Sequence, residues 1–407
     1  MSGAIDRRGL AVLASGHVCA DMAQGAVPAL LPFFVAQRGL SYAAAAALVL
    51  AASVGSSVIQ PLFGLGSDRL SLPWLMPVGV ALAGIGVALV GVTSSYAAAA
   101  AVIAIGGVGV AAFHPEAARF ANHVSGERRG AGMSLFSLGG NAGFALGPIF
   151  VTPLVLALGL RGTLLLGVVP LVVAVVLALE LRRLRGVAAE QIAHAERSID
   201  PDDADPDAWR PFLALGGVIG LRSCVYFGLQ AFVPAWFIAR LGTSEGAANA
   251  ALTAMLVAGA LGTFLGGRVV DRVGRRRLLV GSASLIAPLL IAFDLVRSPL
   301  LAGAVLALVG MVTILTFSIT VVMGQEYLPS RLGLASGVTL GLAIGVGGVA
   351  AAGMGALADA ASLDAVMWLI AALALPMYAL ARTLPVTRAE GRARAGARRA
   401  REPVSVA

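Results

Sequence analysis

Lysine is absent from this chain: all 29 basic side chains are arginine. A GC-rich genome accounts for that bias, and no mechanism follows from it. Charge of either sign is scarce. Only 12% of the 407 residues are charged, about half of the roughly 25% found in soluble domains, which argues against two or three soluble domains of this total length. The two cysteines, Cys19 and Cys224, both fall in apolar runs, so no disulfide framework is expected. The four histidines show no metal-ligand spacing, and neither metal nor cofactor is expected. Gly106-Gly107-Val108-Gly109 lacks the strand-turn-helix context of a phosphate-binding loop, and no enzyme motif remains. Asp6-Arg7-Arg8 precedes the first apolar run like a signal peptide, but no small-residue cleavage site follows. That run reads as an uncleaved first span.

What fills the chain instead is hydrophobic sequence, 58% of it. Runs of about 18 or more apolar residues read as membrane-spanning helices. Twelve are expected, starting near Leu10, Tyr42, Pro73, Ala97, Gly130 and Gly162, then Pro211, Ser244, Leu278, Pro299, Gly333 and Leu363. The net charge of +8 does not indicate nucleic acid, because the arginines are sorted by loop. Alternate loops carry Arg69, Arg128-Arg129, Arg182 to Arg185, Arg272 to Arg277 and Arg331. The opposite loops carry only Arg38, Arg161, Arg240 and Arg297. The arginine-rich side is expected to be cytoplasmic, with both termini inside a bacterial inner membrane.

The chain repeats itself. Gly267-Gly-Arg-Val-Val-Asp271-Arg272-Val-Gly274-Arg275-Arg-Arg has a weaker copy in Gly64-Leu-Gly-Ser-Asp68-Arg69. Gln24 and Val27-Pro28-Ala29 return as Gln230 and Val233-Pro234-Ala235, and Arg129 to Ser134 parallels Arg331 to Ser336, at offsets of 202 to 206 residues. Six spans per copy make a parallel repeat about an axis along the membrane normal, the arrangement of the two halves of major facilitator transporters. The expected division is an N-terminal six-helix bundle at 1–184, a cytoplasmic linker at 185–210, a C-terminal six-helix bundle at 211–385 and a basic tail at 386–407. The linker, with Asp200, Asp202, Asp203, Asp205 and Asp207, lacks the apolar surface to fold alone. The arginine-rich tail is expected to be solvated and held near anionic lipid.

The turn Gly267 to Arg277 resembles motif A of the major facilitator superfamily, and Gly64 to Arg69 its truncated counterpart. That resemblance implies an all-α membrane fold in which Gly64, Asp68, Arg69, Gly267, Asp271, Arg272, Gly274 and Arg275 form a cytoplasmic latch between bundles. A narrower resemblance is to the fosmidomycin resistance protein family. It is carried by Gly106 to Arg119 (GGVGVAAFHPEAAR), Leu221-Arg222-Ser223 with Val225 to Gln230 (VYFGLQ), and Gly324 to Pro329 (GQEYLP). It implies proton-driven export of drugs, a phosphonate antibiotic among them, through a cavity lined by helices one, four, seven and ten. The chain departs from the antiporter pattern of helix five. Gly143 and Gly147-Pro148 are present, but Val151 and Thr152 replace the glycine pair. Ile103 stands near the basic residue usual in helix four.

Ionisable groups inside a bilayer cost roughly 2.5–3.5 kcal/mol each and are functional candidates. His17, Asp21 and Gln24 share one face of helix one. Asp21 lies eleven residues past Leu10, about 17 Å into a core of about 30 Å. Arg222, Tyr226 and Gln230 form the corresponding stripe of helix seven. Asp21, Glu326, His17, His114 and Glu116 are the candidates for proton coupling. Arg222, Gln24, Tyr226, Gln230 and Asn141 are the candidates for substrate binding. Asp21 is expected to pair with Arg222 when substrate is absent, and Glu116 with Arg119. Function is expected to be proton-coupled antiport of drugs by a monomer whose partners are a small molecule, protons and lipid. The rivals are proton symport of a small anionic metabolite and a non-transporting receptor or scaffold.

Overall fold

A chain in hydrocarbon must satisfy its backbone internally, so long apolar runs fold as helices. The computed structural model describes residues 5–57, 59–60, 62–63, 72–126, 129–195, 206–387 and 390–391. Across them there are thirteen α-helices and no strand. They are α1 (Arg7–Arg38), α2 (Tyr42–Ser57), α3 (Leu75–Leu89), α4 (Tyr96–Val124), α5 (Arg129–Leu158), α6 (Val168–Ala195), α7 (Trp209–Leu241), α8 (Glu245–Val273), α9 (Arg275–Leu295), α10 (Pro299–Ile314), α11 (Phe317–Tyr327), α12 (Leu332–Ala360) and α13 (Leu363–Thr383).

Ten segments among the described residues are long and apolar enough to cross a membrane, against the twelve expected. Leu135–Glu190 counts once because the 3₁₀ segment Gly159–Gly167 joins α5 to α6 with no non-helical gap. α2, with 16 described residues, falls short. The expected tenth run is broken at Leu315-Thr316 into α10 and α11. The first part of the expected linker, 185–195, is helical. α6 continues to Ala195, and Ala188 is packed into the core at 5% exposure. Asp200, Asp202, Asp203 and Asp205 lie outside the described residues.

The sequence repeat has a geometric counterpart. α1 and α7 are 32 and 33 residues long, carry Pro28 and Pro234 inside, and end on Gly39 and Gly242 with the same backbone angles, φ 64° and ψ 28°. A left-handed C-terminal residue is what glycine supplies without a Cβ penalty. Within the first half α1 lies along α5, and α3 packs on α4 and α6; within the second, α7 packs on α12 and α13, and α8 on α10. The halves meet along α2 with α12 and α5 with α8. The outer faces stay apolar: Val172, Val175 and Leu179 of α6 are 58%, 59% and 77% exposed, a stripe suited to lipid.

Among the described residues, three polar ties cross between halves. The Asp359 carboxylate, at the end of α12, accepts the Tyr42 and Ala43 backbone N–H groups at 2.9 and 2.8 Å. It therefore caps the first turn of α2 from the other half. Asn249 of α8 donates to the Ala29 carbonyl at 3.0 Å and to Thr152 at 3.1 Å. Asn141 of α5 donates to Thr263 of α8 at 3.3 Å. Losing a helix cap costs about 1 kcal/mol, so Asp359→Ala should shift the halves apart at this end roughly fivefold in population. Spin labels at Ser41 and Ser362, read by double electron–electron resonance, should gain a longer-distance population. An unchanged distribution would leave Asp359 a cap with no part in closure.

Candidate functional site

α1, α4 and α5 together enclose a buried cluster of ionisable side chains. α1 brings His17 and Asp21, one turn apart, into the core at 8% and 6% exposure. α4 crosses beside them and contributes His114. The Asp21 carboxylate meets both rings, Oδ2 at 3.3 Å from His17 Nε2 and Oδ1 at 3.2 Å from His114 Nε2. The two Nε2 atoms are themselves 3.1 Å apart. Each ring is fixed from behind: His17 Nδ1 is 2.8 Å from the Phe136 carbonyl of α5, and His114 Nδ1 is 2.8 Å from the Val110 carbonyl. His17 stacks on Phe136 with centroids 4.2 Å apart.

Room for this cluster comes from α5. A Cβ on Gly140 would fall 2.5 Å from His17 Nε2 and 2.6 Å from Asp21 Oδ2. A methyl group at Gly25, Gly143 or Gly147 would collide with facing backbone of the α1–α5 pair, so the helix-five glycines set this approach. The three ligand-type atoms lie within 4.8 Å of one another. A small divalent ion could be seated there, although no spacing in the sequence announced such a group. Asp21 already spans both imidazoles at hydrogen-bonding distance, which suits a proton equally.

Arg222 does not join Asp21, as the two stripes had implied. It is 5% exposed, with Nη1 3.5 Å from Thr316 Oγ1 and its guanidinium 5.4 Å from the centre of the Phe317 ring, at the break between α10 and α11. Among the described residues no carboxylate comes within 4.0 Å of it. Equal depth on two helices says nothing of azimuth, and the Asp21 charge is met by the nearer histidines. Tyr226, one turn along α7, is half-buried.

The other candidates scatter. Glu116 is fully buried but faces away from His114. It pairs with Arg119 at 2.7 Å and accepts the Leu72 N–H at 2.5 Å, tying the chain before α3 to α4. Glu326 sits at the far end of α11, 3.1 Å from Arg275 and accepting from Thr387 at 2.6 Å. This is a helix-end charge pair rather than a member of the buried cluster. Gln24 lines a cavity of about 10 Å³ with Ala52, Ala83 and Val110, inside the first half. Gln230 is fully buried with neither amide atom hydrogen-bonded. Asn141 is spent on the tie to Thr263.

At the motif-A turn, Gly274 takes φ 91° between α8 and α9. Arg275 holds Glu326, and Arg276 donates to the Arg382 carbonyl at 2.8 Å and to that of Leu384. These contacts stay within the second half. Arg272 is exposed on the last turn of α8, and Gly267 has open space around it. Gly64, Asp68, Arg69 and the Asp271 side chain lie outside the described residues. The tail is not wholly solvated: Thr387 is 2% exposed, and Tyr327 donates to the Pro385 carbonyl at 2.7 Å.

The model of the Major Facilitator Superfamily matches residues 13–352, and also 217–406. The chain belongs to this superfamily. It is 30% identical over 365 residues to an uncharacterized MFS-type transporter, YfnC, of Bacillus subtilis (strain 168), covering 89% of each chain. It is 29% identical over 362 residues to the fosmidomycin resistance protein of Escherichia coli (strain K12), covering 88% of each. Among solved structures it is similar to a bacterial homolog of the human lysosomal transporter Spinster in an inward-facing, occupied conformation. That match has a TM-score of 0.69 at 16% identity, over 95% of this chain and 96% of that one. A D-xylose-proton symporter gives 0.68 at 17%, over 93% and 97%.

The protein is a multi-pass transporter of this superfamily, and four residues that sequence reasoning passed over shape the contacts around the cluster, the helix break and the seam between halves. Gly140 makes space for the cluster, Thr316 meets Arg222 at a helix break, and Asn249 and Asp359 tie the halves. Glycine and threonine are too common in bilayer helices to stand out. Asn249 and Asp359 did carry a signal, as polar groups in apolar helices. A separate cleft of about 350 Å³ lies at the far end of α1, lined by Phe34, Arg38 and Tyr96. Arg38 donates there to Thr93 and to the Val90 and Gly91 carbonyls, which leaves it poorly placed to hold an anion.

Proposed function

We propose that this transporter exports small anionic drugs, phosphonates among them, in exchange for protons by alternating access. The observation that carries the reading is the buried His17–Asp21–His114 cluster, an ionisable group held away from bulk water where either face could exchange its proton in turn. Arg222 supports it from the second half: a buried guanidinium with no carboxylate within 4.0 Å among the described residues suits a bidentate anion. The relative named for fosmidomycin resistance is consistent with a phosphonate cargo. In this reading twelve helices cross a bacterial inner membrane. The ten apolar segments give twelve when Leu135–Glu190 divides at Gly159 to Gly167 and α2 is counted. Both termini and the linker are cytoplasmic, the bundles divide at 185–210, and the protein works as a monomer.

One observation favours proton symport of an anionic metabolite. Val151 and Thr152 replace the expected glycine pair, and Thr152 is hydrogen-bonded to Asn249, so this end of α5 is pinned to α8. Proteoliposomes with an imposed pH gradient separate the readings. Labelled phosphonate should move against its own gradient and opposite to the proton flow. Movement with the protons would make the protein a symporter, and absence of counterflow under any gradient would leave a receptor or scaffold.

A further inference from the structure

Lone pairs from three side chains converge between α1 and α4. A backbone carbonyl can only accept, so His17 Nδ1 and His114 Nδ1, each 2.8 Å from one, donate their ring protons to it. A neutral ring then presents a bare lone pair at Nε2. The two Nε2 atoms lie 3.1 Å apart, and Asp21 sets Oδ2 3.3 Å from that of His17 and Oδ1 3.2 Å from that of His114. Among the described residues no arginine comes within 4.0 Å of this carboxylate. A metal cation can be held by all three side chains at once.

We infer that His17 Nε2, His114 Nε2 and the Asp21 carboxylate form a binding site for a divalent transition-metal ion of the zinc, cobalt or nickel class. The distances suit such an ion. With bonds of about 2.1 Å, two ligand atoms stand about 3.0 Å apart at a right angle and about 3.4 Å apart at the tetrahedral angle. The separations of 3.1, 3.2 and 3.3 Å lie between those limits. Two imidazoles with one carboxylate select against magnesium and calcium, which take oxygen ligands.

The support behind the ligands is of the same kind. A metal-bound histidine donates its other ring N–H to a carbonyl or carboxylate, which fixes the tautomer and the plane of the ring. Both rings do so, His17 to Phe136 of α5 and His114 to Val110 of α4. Phe136 stacks on His17, and Phe113 meets His114 edge-on with centroids 5.6 Å apart. Gly140 keeps the remaining side open, since a Cβ there would stand 2.5 Å from His17 Nε2 and 2.6 Å from Asp21 Oδ2. Three protein ligands leave a further position for water.

Two ligands come from α1 and one from α4, so a bound ion clamps these helices within the first half and leaves the halves free to rock. It also occupies the atoms that would carry the coupling proton. Under the exchange reading above, on which this consequence alone rests, the ion inhibits proton-driven export.

The test uses the full-length protein, freed of any polyhistidine tag, in lipid nanodiscs. Wild type should bind about one Co²⁺ per chain with the visible absorption of a four-coordinate ion, and Zn²⁺ should displace it and raise the melting temperature. Losing an outer-shell partner of a metal ligand costs roughly 10–100-fold in affinity. Asp21→Asn and His114→Gln remove a ligand and should weaken binding about a hundredfold or more. Gly140→Ala keeps all three ligands, crowds them with a methyl group and should weaken binding comparably. Replacing the other two histidines, His123→Gln with His194→Gln, should leave binding unchanged. Melting without metal shows which variants are folded, and the near-isosteric Asp21→Asn decides where another is not. A wild type that binds no Co²⁺, or binding that survives Asp21→Asn or is lost with His123 and His194, would overturn the proposal. In proteoliposomes with an imposed pH gradient, Zn²⁺ should stop uphill export of labelled phosphonate. Zn²⁺ bound at the cluster without effect on export would sink the exchange reading at these residues and leave the metal site. Proton-driven export by a protein that binds no Co²⁺ would do the reverse.

Discussion

Asp21→Asn and His114→Gln should each stop uphill export while exchange of labelled substrate down its gradient continues. Either change removes a partner from a buried charge-assisted contact, worth about 1.5–3 kcal/mol. That shifts the balance between proton-loaded and empty states roughly ten- to hundredfold, at about 1.4 kcal/mol per decade. Exchange cycles the substrate without requiring the proton to leave, so counterflow should stay within about threefold of wild type. Glu326→Gln is the contrast. Its partners are Arg275 and Thr387 at a helix end, and it should retain uphill export. Uphill accumulation by both Asp21→Asn and His114→Gln would move the coupling proton out of this cluster. Loss of uphill export in Glu326→Gln alone would place it at the end of α11.

The fold was largely legible because the bilayer leaves few options. Apolar runs of spanning length, arginines sorted by loop and a repeat offset of about half the chain all follow from solvation by lipid. The paired glycines Gly39 and Gly242 close α1 and α7 with the same geometry, as a duplicated turn should. What the pattern missed was an interruption inside one expected span, at Leu315-Thr316.

The site was legible only in one dimension. His17 and Asp21 one turn apart announced a polar face, and Arg222 is buried at 5% exposure. Which groups meet was not, because contact depends on how helices cross. Gln24 shares the face of His17 yet lies two turns further along, where α2, α3 and α4 surround it. Glu116 is two residues from His114, which turns it to the opposite side of α4. Gly140 could not be distinguished from the other glycines of α5 until its neighbours were known.

Arg222→Gln should cost most of the affinity for anionic substrates and little for neutral ones. The guanidinium lies in the core at 5% exposure, beside Thr316 and Phe317 where the tenth span breaks. Among the described residues no carboxylate offsets its charge, so an arriving anion would supply the missing partner. Truncating one member of a buried, hydrogen-bonded charge pair costs about 2–5 kcal/mol, or roughly thirty- to several-thousandfold in binding. Lysine would keep the charge but not the planar fork that meets two phosphonate oxygens, so Arg222→Lys should fall between wild type and Arg222→Gln. The measurement is equilibrium binding of a labelled phosphonate and of a neutral drug, with thermal stability recorded for each variant. Comparable losses for both ligands, together with a lowered melting temperature, would make Arg222 a packing element of the α7–α10 contact. Selective loss of the anion in a protein of unchanged stability would place the cargo's negative end at the helix break. The neutral remainder would then lie toward Tyr226 and the His17–Asp21–His114 cluster of the other half.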